Sequence, residues 1–176
     1  QQIRKDKMVG LAMRYNIPIL TDAEKLTSAD IPDGTELVIS AHSHWIVSQQ
    51  IIDKAKYGAI GFHPSLLPLH RGRDAVRWAI KMGDKVTGGS VFSLNDKADG
   101  GDVIGRRMVF IRPEWDYHDL WNELFPIGVD MLSEAVANIE ANDGNVPAEK
   151  QDEGLATWEP SFERQRLRRN ELIMLS

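Results

Sequence analysis

The 176-residue sequence contains no cysteine. Neither a thiol nucleophile nor a disulfide framework is therefore available, which is typical of proteins from a reducing compartment. Long apolar runs are also lacking: no stretch approaches the length of a membrane span, and residues 1–7 have no apolar signal core. We expect a cytoplasmic protein without a membrane partner.

Positive charge is in the minority. Lysine and arginine number 21 against 26 aspartate and glutamate residues, which gives a formal net charge of −5 at pH 7. This balance argues against a general nucleic-acid-binding surface. One basic run, Arg164 to Arg169, could form a local patch, but a solvated helix face is the favoured interpretation.

Short apolar runs alternate with helical patterns, and this alternation predicts an α/β fold. Strands are predicted over residues 17–20, 36–41, 58–63, 87–94 and 103–111, and helices over 7–15, 48–56, 75–82 and 117–141. Asp74 and Asp116 are the expected N-caps of the last two helices, Gly83 is an expected C-cap, and Pro126 should kink the last helix. The pattern weakens beyond residue 143, so we expect one domain over residues 1–143 and a C-terminal extension over 144–176.

Two segments carry residues suited to acid–base chemistry. The first, residues 61–68, reads Gly-Phe-His-Pro-Ser-Leu-Leu-Pro, and the second, residues 97–101, reads Lys-Ala-Asp-Gly-Gly. Because prolines stop a strand from continuing its ladder, His63 is expected at a strand end, where sites tend to lie. Asp99 precedes two glycines and is expected on a tight loop. A carboxylate beside an imidazole orients the ring and favours its charged form, so the pair predicts a catalytic site.

These segments resemble the 10-formyltetrahydrofolate-dependent formyltransferase family, and the resemblance runs from about Ile17 to Glu153. It implies a Rossmann-like, mostly parallel sheet and a catalytic domain over residues 1–143. Members of the family open with a strand that is absent from these 176 residues, so we expect a preceding segment. The resemblance also implies 10-formyltetrahydrofolate as formyl donor and an amine as acceptor.

By this resemblance His63 and Asp99 are the catalytic pair. Gly61 stands where the family has an asparagine that helps to hold the formyl oxygen as it becomes an oxyanion, and glycine offers only a backbone N–H. The hydrolase domain of 10-formyltetrahydrofolate dehydrogenase also lacks this asparagine, and it shares the Phe125-Pro126 pair. Hydrolysis of the donor therefore stays open as an alternative activity, and so does a folate-binding or interaction module that has lost turnover.

The resemblance further implies a folate pocket built from two segments, in which Trp45 either stacks on the pterin or fills its slot. The residues expected to bind the folate are His44, Trp45, Ile46, Val47, Leu94, Asn95, Asp96, Lys97 and Ala98.

Residues after His63 are candidates for binding the acceptor. Arg71 and Arg73 flank Gly72 and suit a phosphate or carboxylate, although a solvated turn is an equal alternative. Ser65 joins this substrate-binding set, and we interpret it as a turn residue rather than a nucleophile because no Gly-x-Ser-x-Gly motif surrounds it.

We predict no metal site. His42 and His44 lie on one side of an extended segment, but no third ligand follows at a recognised spacing. The expected partner is a small-molecule amine, such as an amino sugar or a nucleotide-linked amine, rather than tRNA, because no separate tRNA-binding domain is evident after Ala141. A homodimer stays open.

Overall fold

The computed structural model describes residues 7–20, 26–41, 43 and 46–162. Within these ranges the helices are α1 (Lys7–Arg14), α2 (Gln49–Ile52), α3 (Ala75–Met82) and α4 (Tyr117–Ala141), and the strands are β1 (Val38–Ala41), β2 (Ala59–His63), β3 (Val86–Ser93) and β4 (Val103–Phe110). Two 3-10 turns cover Ser28–Asp30 and Glu153–Leu155. The predicted α/β class is confirmed. His42, His44, Trp45 and the basic run over residues 164–169 lie outside the described residues.

The described strands form one sheet in the order β1-β2-β3-β4. The β1–β2 pairing is parallel, whereas β2–β3 and β3–β4 are antiparallel. The described part of the sheet is therefore mixed, with one parallel and two antiparallel pairings. This order makes β2, which ends at His63, an interior strand.

The predicted strand over residues 17–20 is wrong. These residues follow α1 in irregular structure, and Ile17 and Leu20 remain 57% and 58% exposed. No described strand pairs with them, and an extended segment without a partner leaves its backbone groups to solvent.

Helix α4 packs across β3 and supplies much of the core. Its buried residues recur at the spacing of one helix face: Leu120, Leu124, Gly128, Met131, Ala135 and Ile139. Met131, Ala135 and Ile139 pack in one cluster with Ile60 and Val91 of the sheet. Leu120 and Leu124 pack in a second cluster with Val76 and Ala79 of α3. No helix in the described ranges is long and apolar enough to cross a membrane.

The two expected N-caps behave differently. The Asp116 carboxylate accepts hydrogen bonds from the backbone amides of Asp119 and His118, which hold its pKa below the usual range. Asp74 occupies the N-cap position of α3 in a left-handed conformation, and its side chain makes no capping bond. It accepts instead from the backbone amide of Phe162 at 3.1 Å. The Asp74 carboxylate, which the sequence predicts to cap α3, thus binds the C-terminal segment at Phe162 instead.

Candidate active site

A cleft of about 610 Å³ opens at the C-terminal end of β2. Its walls come from β1 and the segment after it, from β2, from the loop after β3, from the turn before α3 and from the start of α4. Both His63 and Asp99 line it. A cleft of this size suits a small-molecule ligand.

His63 ends β2 and is 6% exposed. Its Nε2 lies 2.7 Å from the backbone carbonyl oxygen of His70. Because a carbonyl oxygen can only accept, Nε2 must carry the proton and donate. In the neutral ring the lone pair is therefore on Nδ1, and the tautomer of His63 is set by the backbone of residue 70.

Asp99 lies beside Nδ1, the ring nitrogen of His63 that does not bind His70. Its Oδ2 lies 3.7 Å from Nδ1 of His63, which is too long for a hydrogen bond but close enough for charge attraction. The same oxygen accepts a hydrogen bond from the backbone amide of Gly72 at 2.7 Å. The Asp99 carboxylate is thus held by the turn before α3, and the contact that orients the His63 ring comes from His70.

The loop that carries Asp99 turns sharply against the end of β3. Asp99 itself has a φ of +50°. A Cβ on Gly101 would lie 1.7 Å from the carbonyl oxygen of Ser93, so only glycine allows the loop to pass this close to the strand. The Asp-Gly-Gly sequence thereby places Asp99 at the cleft.

Gly61 lines the cleft two residues before His63 and on the same face of β2. It pairs with Ser40 of β1 and Phe92 of β3, so its backbone amide points along the plane of the sheet rather than into the cleft. A Cβ at Gly61 would lie 2.9 Å from Cδ2 of Leu94. Leu94 therefore occupies the space that a side chain at position 61 would need.

Most of the residues that the family resemblance assigns to folate binding lie together in the wall of the cleft. Those that line the cleft are Ile46, Val47, Leu94, Asn95, Lys97 and Ala98. Asp96 is exposed and is not part of the lining. His44 and Trp45 lie outside the described residues.

Two of the three residues assigned to acceptor binding lie away from the cleft. Ser65 is fully buried, and its hydroxyl donates to the carbonyl oxygen of Leu69 at 2.5 Å. Arg71 is 2% exposed, and its guanidinium binds the side chains of Gln151 and Glu153. Neither side chain is free to grip a ligand, because each is enclosed and engaged within the protein. Arg73 is exposed and lines the cleft.

Several lining residues escape the sequence-based prediction. Arg77, Tyr117 and Trp121 form the wall next to the turn before α3, and the Arg77 guanidinium lies 4.7 Å from the centre of the Tyr117 ring. Arg77 shares the polar face of α3 with Lys81, opposite the buried residues Ala75, Val76, Trp78 and Ala79, so the sequence pattern reads as a solvated face and does not mark it. His70 contacts His63 through its own backbone carbonyl, and the side chain of Gln151 donates to the backbone carbonyls of Asp99 and Gly101. Neither contact has a signal in the sequence.

Glu153 provides a test of the contact made by Arg71. The Arg71 guanidinium donates to both carboxylate oxygens of Glu153, and these hydrogen bonds lower the pKa of Glu153 from its usual 4.5. A lowered pKa in the folded state stabilises the fold above the unfolded-state value, and this stabilisation is lost as the pH falls through the folded-state value. We expect Glu153→Gln to lower Tm at pH 7, and we expect the difference from the native chain to shrink as the pH is lowered from 7 to well below 4.5.

Thermal unfolding of the two proteins across this pH range measures the effect. Glu114→Gln, the same change at an exposed position in the loop before α4, is the control. A Tm difference that stayed constant with pH would contradict the ion pair.

Among the described residues, no group of three or more histidine, aspartate or glutamate side chains is arranged to hold a metal ion.

The mixed α/β sheet and the cleft at the end of β2, lined by a histidine and an aspartate, are the arrangement of an enzyme-like domain. A family model described as formyl transferase matches residues 22–136. The chain belongs to this formyl transferase family.

Relatives of the chain fall in the same family. It is 39% identical over 127 residues to the mitochondrial 10-formyltetrahydrofolate dehydrogenase of Mus musculus, covering 72% of this chain and 14% of that protein. It is 33% identical over 158 residues to the methionyl-tRNA formyltransferase of Bacillus subtilis (strain 168), covering 88% of this chain and 49% of that protein. The chain thus spans half or less of the length of these two relatives.

A solved structure of HypX from Aquifex aeolicus in complex with tetrahydrofolic acid matches the fold with a TM-score of 0.63 and 26% identity. The match covers 74% of this chain and 22% of the HypX chain.

Proposed function

We propose that this chain transfers the formyl group of 10-formyltetrahydrofolate to a small-molecule amine. The observation that carries the proposal is the imidazole of His63, whose Nε2 donates to the His70 carbonyl and whose Nδ1 remains free to accept a proton beside Asp99. Family membership supports the reaction type, and the tetrahydrofolic acid in the HypX structure supports a folate as donor.

The cleft has the chemistry that a folate requires. Ile46, Val47 and Leu94 give it an apolar wall, and the loop from Asn95 to Asp99 lies beside that wall with its backbone donors and acceptors. A flat heteroaromatic ring binds where apolar contact is combined with a few polar groups, and about 610 Å³ lies within the usual range for such pockets.

The donor would supply a carbonyl carbon attached to a nitrogen leaving group. Nδ1 of His63 takes the proton that the attacking amine loses as its nitrogen bonds to that carbon. The resulting imidazolium then returns the proton to the departing nitrogen. Asp99, 3.7 Å from Nδ1, stabilises the ring in its charged form.

Position 61 is where the family has an asparagine that helps to hold the developing negative charge on the formyl oxygen. The backbone amide of Gly61 points within the sheet, so it does not replace the asparagine of the family. We expect Gly61→Asn alone to raise the KM for the donor, because the new side chain pushes Leu94 into the cleft. Adding Leu94→Ala makes room for the amide, and this pair should raise kcat for transfer by up to about 10²-fold, the value of one oxyanion donor.

Steady-state kinetics of the paired variant and of Leu94→Ala alone measure this effect, since the two proteins share the enlarged cleft. Equal kcat values in these two proteins would show that position 61 does not reach the formyl oxygen.

The proposed function is tested by incubating the full chain with 10-formyltetrahydrofolate alone and then with candidate amines. Tetrahydrofolate and the formylated amine are both quantified. Release of tetrahydrofolate only when an amine is present supports transfer. Release in water alone would make the chain a hydrolase, and binding of tetrahydrofolate without release would make it a folate-binding module.

The choice of amines follows from Arg73, whose exposed guanidinium at the cleft suits an anionic acceptor. A nucleotide-linked amino sugar, the free amino sugar and aminoacyl-tRNA form a series that separates a small anionic acceptor from a neutral one and from a nucleic acid. Arg73→Ala should raise the KM of the accepted amine if its anionic group binds there.

A further inference from the structure

Residues 149–162, which we call the C-terminal strap, lie beyond the part of the chain that matches the family model. The strap crosses both loops of the site. Glu149 pairs with Val103 at the start of β4. The hydroxyl of Thr157 accepts from the backbone amide of His70 at 2.7 Å. The backbone carbonyl oxygen of Thr157 accepts from the backbone amide of Arg71 at 3.0 Å. The strap is therefore attached to the loop that orients His63 and to the hairpin that carries Asp99.

Gln151 is the residue of the strap that contacts the Asp99 loop most directly. Its side-chain nitrogen donates to the carbonyl oxygens of Asp99 and Gly101 at 2.8 and 2.6 Å. Its side-chain oxygen accepts from Nε and Nη2 of Arg71 at 3.1 and 2.9 Å. Because one end of the amide faces only acceptors and the other only donors, its orientation is fixed by its partners.

Arg71 holds the side-chain oxygen of Gln151 by two hydrogen bonds. It is 2% exposed, and its Nη1 and Nη2 donate to the two carboxylate oxygens of Glu153 at 2.9 and 3.0 Å. The guanidinium is buried whereas the Glu153 side chain is exposed, and the bidentate geometry together with the bonds to Gln151 leaves Arg71 little rotational freedom. The next residue, Gly72, donates its backbone amide to the Asp99 carboxylate. Asp99 is thus held at two points, its carboxylate by Gly72 and its backbone by Gln151, and Arg71 lies next to both.

We infer that Gln151 is a positioning residue that fixes the backbone of Asp99 so that its carboxylate faces Nδ1 of His63. This inference rests on the proposed formyl-transfer function. The carboxylate is already 3.7 Å from Nδ1, and a displacement of about 1 Å at a catalytic group can cost about 10²-fold in rate.

The substitution Gln151→Glu separates positioning from simple attachment of the strap. Glutamate keeps an oxygen toward Arg71 and adds a negative charge, so attachment through Arg71 is preserved. It replaces the donor nitrogen with an oxygen that faces the carbonyl oxygens of Asp99 and Gly101. The control is Gln50→Glu, the same change at an exposed position of α2.

Two measurements on the full chain follow from this design. In Gln151→Glu, kcat for tetrahydrofolate release should fall by about 10- to 100-fold, with a smaller change in donor KM, because the displaced group acts on the reacting atoms rather than on folate binding. In NMR spectra without ligand, the amide resonances of Gly72 and Gly101 should shift. Gln50→Glu should change neither.

A native kcat in folded Gln151→Glu, or unshifted Gly72 and Gly101 resonances, would overturn the inference. If the native chain releases no formyl group from 10-formyltetrahydrofolate, the proposed function fails and the resonances alone decide: shifted signals support positioning of the Asp99 loop, and unshifted signals overturn it. If Gln151→Glu does not fold, Gln151→Met, which removes the donor without opposing the carbonyl oxygens, takes its place with the same deciding outcomes.

Discussion

Replacing His63 with alanine is expected to lower kcat for tetrahydrofolate release by about 10²- to 10⁴-fold, the usual contribution of a positioned general base. The loss follows from the removal of Nδ1, the nitrogen that lies beside Asp99 and carries the lone pair while Nε2 donates to the His70 carbonyl. The donor KM should change less than kcat, because the apolar wall of the cleft at Ile46, Val47 and Leu94 is untouched.

The alanine variant also leaves the His70 carbonyl without its partner in a buried setting, which costs about 1–3 kcal/mol of stability. His63→Gln provides the matched control, since a glutamine amide can reach the His70 carbonyl with a donor nitrogen and yet offers no base. Both variants should lose activity, and His63→Gln should unfold at the higher temperature. Circular dichroism checks the fold in each case. A folded variant with near-native kcat would remove His63 from the mechanism.

Much of the fold follows from the sequence because its signals are local. The spacing of Leu120, Leu124 and Met131 is that of one helix face, and these residues are buried in α4 as that spacing predicts. The prolines after His63 end β2 at the residue where the sequence predicts it. The strand predicted over residues 17–20 is wrong because an apolar run becomes a strand only where another strand can pair with it.

The site is predictable to the extent that it depends on strand ends. His63 and Asp99 follow separate strands, and both line one cleft in the structure. Gly61 lies on the face of His63 because side chains in a strand alternate with a period of two. The position of Asp99 does not follow from strand ends alone. β3 runs antiparallel to β2 with Ser93 opposite Ile60, so the loop after β3 has to turn back to bring Asp99 to His63.

Hydrogen bonds to backbone carbonyl groups cannot be predicted from the sequence. The residue that sets the His63 tautomer is His70, and it does so through its main chain, which carries no mark of residue type. Arg71 reads equally well as a solvated turn or as a ligand contact. Its burial depends on Gln151 and Glu153, which are 80 and 82 residues further along the chain. Pairings over such distances are decided by the tertiary fold.

The Asp99→Asn variant is expected to reduce kcat by about 10²- to 10⁴-fold, a range typical of losing the carboxylate that supports a catalytic imidazole. The substitution removes a negative charge 3.7 Å from Nδ1 of His63, so the imidazolium formed during proton transfer is less stable. The backbone should be unaffected for two reasons. Asparagine tolerates the left-handed conformation that Asp99 adopts, with a φ of +50°. Its side-chain oxygen can still accept from the amide of Gly72.

Asp96→Asn is the matched control, because it makes the same change three residues earlier in the loop, at an exposed position outside the cleft lining. The measurement compares kcat and donor KM for both variants with those of the native chain, together with their melting temperatures. Loss of kcat in Asp99→Asn at nearly constant KM, with Asp96→Asn unchanged, identifies the charge at position 99 as the feature that supports His63. Equal turnover in the two variants would instead mean that the Asp99 carboxylate only ties the loop to Gly72, since the asparagine oxygen preserves that contact while the charge is lost.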